Sequence, residues 1–97
     1  MKIAVINNRL YPFRTNREMT QFMRNFKCNG IMFYDFTVSG YNYEQKKLLA
    51  ITQCKEVVEL MKRYDVPASA EWTIQSWISN KAVSYGLLKD FREEGIL

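Results

Sequence analysis

The sequence predicts a small α/β (or α+β) protein in which an N-terminal βαβ unit with two parallel strands packs against three C-terminal helices. Two apolar runs carry the strands, "KIAVI" at 2–6 and "IMFYDFTV" at 31–38, both rich in β-branched or aromatic residues. Met19, Phe22, Met23 and Phe26 fall between them at helical spacing. After residue 42 the apolar positions recur with helical period only.

Taken in order, "KIAVI" has the length and branching of a buried strand. Residues 7–15 read as the loop leaving it. Thr15 and Glu18 are spaced as a capping box, so a helix is expected from there to Asn29-Gly30, a left-handed stop. A second strand over 31–38 then completes a right-handed crossover, which makes the strands parallel. "SGYN" is a turn whose Asn42 caps the longest helix, Tyr43 to about Tyr64. Its expected stripe is Leu48, Ile51, Cys54, Val58 and Met61, widened by Leu49, Val57 and Leu60. Asp65-Val66-Pro67 breaks that helix. Ser69 is expected to cap a shorter one with Ala70, Ile74, Trp77 and Ile78 inward, and a last helix over roughly 83–94 carries Val83, Leu87, Leu88 and Phe91.

Ninety-seven residues, 47% hydrophobic and 14% aromatic, suffice for one packed core, and no linker or repeat interrupts them, so a single domain over 1–97 is expected. No apolar run approaches the ~18 residues of a membrane span. The opening "MKIAVINNRL" has too short an apolar stretch for a signal peptide, so a cytoplasmic location without membrane association is expected. Cys28 and Cys54 fit neither a metal-ligand spacing nor a disulfide framework, and read as structural thiols of a reducing compartment.

Histidine is absent. That removes Ser-His-Asp and Cys-His catalysis and the commonest general base. There is no glycine-rich phosphate loop either. Asp35, the one charge inside an apolar run, has no second acid or thiol at a diagnostic spacing and reads as an ion-pair partner or an exposed strand end. The balance leans away from an enzyme, with no catalytic residue, metal site or cofactor expected.

What the chain does concentrate is positive charge. Of a net +4, residues 1–27 hold Lys2, Arg9, Arg14, Arg17, Arg24 and Lys27 against Glu18 alone, while the remainder is close to neutral. Arg17 stands in the first turn of the predicted helix, where the macrodipole is already positive and an acid would be more stabilising. Arginines gathered at such a place suit an anion that meets free amides and guanidiniums together. Tyr11 lies among them, as a residue able to stack on a base. The candidate contacts are therefore Arg9, Tyr11, Arg14, Arg17, Arg24 and Lys27, with Trp72 a further apolar contact.

The segment from Lys55 to Asn80 invites a helix-turn-helix reading. Its turn reads as too long, and its second helix carries Glu71 and no arginine, against a duplex bearing one charge per ~1.7 Å. Two functions remain. The first is a small non-enzymatic basic protein that engages nucleic acid, or a nucleic-acid-handling complex, through its N-terminal loop and helix. The alternative is a protein–protein inhibitor or adaptor of phage or mobile-element type, which blocks a host protein machine. Its arginines would complement an acidic surface, with Trp72, Tyr85 or Phe91 as anchor.

Overall fold

The computed structural model describes residues 1–24, 33–35 and 42–97. Its elements are β1 (Lys2–Ile6), β2 (Arg9–Phe13), α1 (Asn16–Arg24), β3 (Phe33–Asp35), α2 (Tyr43–Arg63), α3 (Ala68–Ser84) and α4 (Leu88–Glu93). The three strands form one sheet in the order β2-β1-β3, and β1 is antiparallel to both neighbours.

The parallel βαβ unit is therefore corrected, and two residues account for the difference. Asn7 and Asn8 both have positive φ, 51° and 63°. Two consecutive left-handed residues make the tight turn whose twist matches a hairpin, and asparagine is one of the few side chains that tolerates them. The chain reverses there, so Arg9–Phe13 pairs with β1, Ile6 opposite Arg9 and Lys2 opposite Phe13. What reads as an exit loop is a strand. Pro12 fits because β2 is an edge strand, where a missing N–H costs no ladder bond.

Alternation along β1 then builds two layers. Ile3 and Val5 face a core shared with Leu10, Ala50, Cys54, Val57, Leu60, Ile74, Ile78, Leu87 and Phe91. Ala4 and Ile6 face the other way, toward Met19, with Tyr11, Phe13, Phe22 and Met23 packed around them. The sheet thus lies between α1 on one face and the α2–α4 layer on the other. An all-apolar strand buried on both faces is what "KIAVI" requires.

The helices match the sequence reading at most ends. Asn42 caps α2 by accepting from the Gln45 amide at 2.8 Å, and the Gln45 side chain returns a bond to the Asn42 amide at 3.0 Å. Five expectations are corrected. Leu48 is exposed at 67%, because the inward line of α2 is Ala50–Cys54–Val57 with Leu60. Ser69 does not cap α3, which follows Pro67 without a side-chain cap. Trp77 is only partly buried, at the margin of the core. Val83 belongs to α3, not to the last helix, and is exposed; Leu88, at the start of α4, is exposed as well, so only Leu87 and Phe91 of that stripe face inward. α3 runs on to Ser84 and stops at Gly86, whose φ of 64° lets the Leu87 amide reach back to the Ala82 carbonyl at 2.7 Å. Expectations for the end of α1 at Asn29-Gly30, for Cys28 and for the turn at 39–42 short of Asn42 lie outside the described residues.

Candidate nucleic-acid interface

α1 is positioned by its inward side chains. Phe22 packs between Tyr11 and Phe13 of β2, with ring centroids 5.1 Å apart in each pair, and Met19 is buried behind them. At the helix start Thr15 Oγ1 accepts from the Glu18 amide at 3.2 Å. The carboxylate of Glu18 does not return to the cap residue as a reciprocal box requires. It reaches one residue further back, accepting from the Arg14 amide at 3.2 Å and the Arg14 guanidinium at 3.4 Å.

The opposite face of α1 is polar and exposed. Asn16, Arg17, Thr20, Gln21 and Arg24 line a shallow groove of about 410 Å³ along it. Seven residues separate the two arginines, which puts them two turns apart, ~10.5 Å along the axis. Among the described residues neither Arg17 nor Arg24 has an acidic partner. An unpaired guanidinium keeps all of its five donors for a ligand. At one phosphate per ~3.4 Å of strand, two such groups span roughly three phosphates.

The other candidates are arranged differently. Arg14 adjoins this face and is held only by the exposed pair with Glu18, an interaction worth ~0.2–1 kcal/mol and easily exchanged. Arg9 stands at the hairpin end of β2, remote from α1's start by the length of the strand, with its Nε 3.4 Å from Asp65 Oδ2. Tyr11 is partly buried and its ring is engaged with Phe22, so it serves the packing beneath α1. Lys27 lies outside the described residues. Asp35 ends β3, opposite Lys2 in the register. The sequence missed Thr20 and Gln21, although they fall at i+3 and i+4 from Arg17 on the same face.

Trp72 is exposed at 73% on α3, and Val83, three turns on, shares its side of the helix. Phe91 is fully buried, which removes it as a surface anchor. The α2–α3 connection is only Tyr64–Pro67, short enough for a helix-turn-helix, so length does not argue against that reading. Charge still does: the face of α3 holding Trp72, Ser76, Ser79, Asn80 and Val83 carries no cation.

Burial pushes the Cys54 thiol up to about 12, with Lys81 acting in the other direction, so its thiolate is not formed at neutral pH. Among the described residues no group of three His, Cys, Asp or Glu could hold a metal, and no helix is long and apolar enough to cross a membrane. No family model, curated protein or solved structure matches the chain.

Proposed function

We propose that the protein binds nucleic acid through the outer face of α1, without catalysis. One observation carries the reading. Arg17 and Arg24 are exposed, unpaired among the described residues, and aligned on one helix face with Thr20 and Gln21 between them. A solvated face needs no such alignment, and helix stability disfavours a cation at the start of α1. Guanidiniums engage phosphate oxygens in pairs of hydrogen bonds, and Thr and Gln add neutral donors to the same backbone. Arg14 joins the set by leaving Glu18. Arg9 does not, because it stands at the hairpin end of β2, the length of the strand away from α1.

The test is binding of labelled nucleic acid by the double variant Arg17→Glu/Arg24→Glu, with circular dichroism to check its fold. Affinity collapses in the variant. In Arg17→Ala/Arg24→Ala the salt slope falls by about 1.8 for duplex DNA, two phosphates at ~0.9 each. Binding that ignores salt, or survives charge reversal, overturns the phosphate contact.

A second reading rests on Trp72 and Val83. An uncharged helix face with a protruding tryptophan suits a protein partner, for which Trp is the strongest anchor type. Capture of a partner that persists after nuclease treatment and is lost in Trp72→Ala supports an adaptor or inhibitor. Capture that vanishes with nuclease supports nucleic acid.

A further inference from the structure

Two lysines and three aromatic rings meet where the start of α2 reaches the end of α3. Lys47 Nζ stands 4.6 Å from the centroid of the Tyr43 ring. Tyr43 leans on Tyr85, with centroids 6.2 Å apart at 46°, and its hydroxyl donates to the Tyr85 carbonyl at 3.3 Å. Lys81 Nζ lies between two rings, 5.5 Å from Tyr85 and 5.6 Å from Trp77. Sequence spacing explains the assembly. Tyr43 and Lys47 are one turn apart on α2, while Trp77, Lys81 and Tyr85 recur every four residues along α3 and its cap.

Core packing accounts for part of this. Trp77 and Tyr85 rest on the α2–α4 core. Tyr43 is left over, more than half exposed, beside two lysines that are only partly buried. Among the described residues the one carboxylate paired with either lysine is Glu44, 3.9 Å from Lys47 and itself largely exposed; no acid pairs with Lys81. A basic patch interleaved with aromatic rings is the composition that single-strand binding surfaces use, rings for bases and cations for phosphates.

We propose that this cluster is a second nucleic-acid contact, specific for a single strand, in which Tyr43 stacks on a base while Lys47 and Lys81 take the neighbouring phosphates. The proposal rests on the reading of α1 as a nucleic-acid contact. Lys47 covers the Tyr43 ring in the free protein. The base stacks on the half-exposed Tyr43 ring and displaces the ammonium, which exchanges the ring for the phosphate beside it, so that both contacts favour the bound strand. Single-strand preference follows from the layers. α1 and the cluster belong to opposite sides of the sheet. A straight duplex lies against one side at a time, whereas a flexible strand can round the edge and touch both.

The experiment is fluorescence anisotropy with a labelled oligothymidylate and with a duplex of the same length. Wild type binds the single strand more tightly. Tyr43→Ala weakens the single strand about tenfold and leaves the duplex unchanged. Tyr43→Phe, which loses the hydroxyl but keeps the ring, binds the single strand as wild type does. Lys47→Gln, which removes the charge of a partly buried side chain and keeps part of its stem, lowers the salt slope for the single strand by about 0.7. Equal affinities for the two probes, or an unchanged single-strand affinity in both Tyr43→Ala and Lys47→Gln, overturn the second contact. If Arg17→Glu/Arg24→Glu still weakens both probes in that case, the α1 reading stands without it. If wild type binds neither probe, both readings fall and a protein partner takes their place.

Discussion

Arg9 and Asp65 form a parallel bridge on the outer edge of β2. The Leu10 amide donates to the Asp65 carbonyl and the Asp65 amide to the Asn8 carbonyl, both at 2.9 Å, while the two side chains pair at 3.4 Å. The α2–α3 connection is thereby sewn to the hairpin, and the backbone groups carry most of the attachment. Both side chains are more than half exposed, so their ion pair is screened.

Arg9→Ala accordingly lowers stability by no more than ~0.2–1 kcal/mol. Asp65→Pro, which removes the amide donated to Asn8, costs more, about 1–3 kcal/mol. Urea midpoints of the two variants measure the difference. Equal losses would show that the side-chain pair, and not the backbone bridge, holds the edge. Arg9→Ala also leaves oligonucleotide affinity unchanged, which separates Arg9 from Arg17 and Arg24.

The Asn7-Asn8 turn makes its own prediction. Asn8→Val forces a branched residue into the left-handed region and destabilises by ~1–2 kcal/mol. Asn8→Gly is near neutral, since relief of the turn is offset by a more flexible unfolded chain. Thermal midpoints report both. A valine as stable as asparagine would mean that the turn is not left-handed at this position.

Cys54 links stability to alkaline pH. Its thiol is held up to about 12 by burial, against an ordinary value of 9.0. The folded state therefore binds a proton that the unfolded state releases above pH 9. The stabilising effect is complete below pH 9 and fades as pH rises from 9 toward 12, at a slope approaching ~1.4 kcal/mol per pH unit. Cys54→Val lacks this component, so the difference in urea midpoint between wild type and variant shrinks or reverses across that window. Peptide mapping after alkylation at neutral pH finds Cys54 unmodified in the folded protein and modified in urea. Rapid native modification would contradict its burial.

Helices were the legible part of this chain because their signals are local. Asn42 stands just ahead of the helical run as an N-cap must, although its Gln45 partner went unread, and Asp65-Val66-Pro67 breaks the helix. The sheet was less legible. β1 is apolar on both faces, so it has no alternation to orient it, and "RLYPF" contains a proline that argues against a strand unless the strand is known to be at an edge. The deciding signal was Asn-Asn between two apolar runs, a weaker turn mark than Asn-Gly.

The candidate site divides the same way. Arg17 and Arg24 share a face by arithmetic, and their exposure follows from the inward line of Met19, Phe22 and Met23. The meeting of Arg9 with Asp65 was not readable, because the two residues come together only through the hairpin. Lys81 between Trp77 and Tyr85 was readable on α3, but its meeting with Tyr43 and Lys47 depends on how two helices cross.

β1 precedes every partner it is built on. Ile3 shares its core with Phe91, and nearly the whole described chain lies between them. Contacts of such wide separation bring high contact order, and loop closure must be achieved before burial rewards it. During synthesis "KIAVI" emerges before these partners and remains an unpaired, sticky strand until α4 is made, apart from what the hairpin with β2 can shield. The Asn7-Asn8 turn, by pairing β1 within its own neighbourhood at once, acts as the segment's first chaperone.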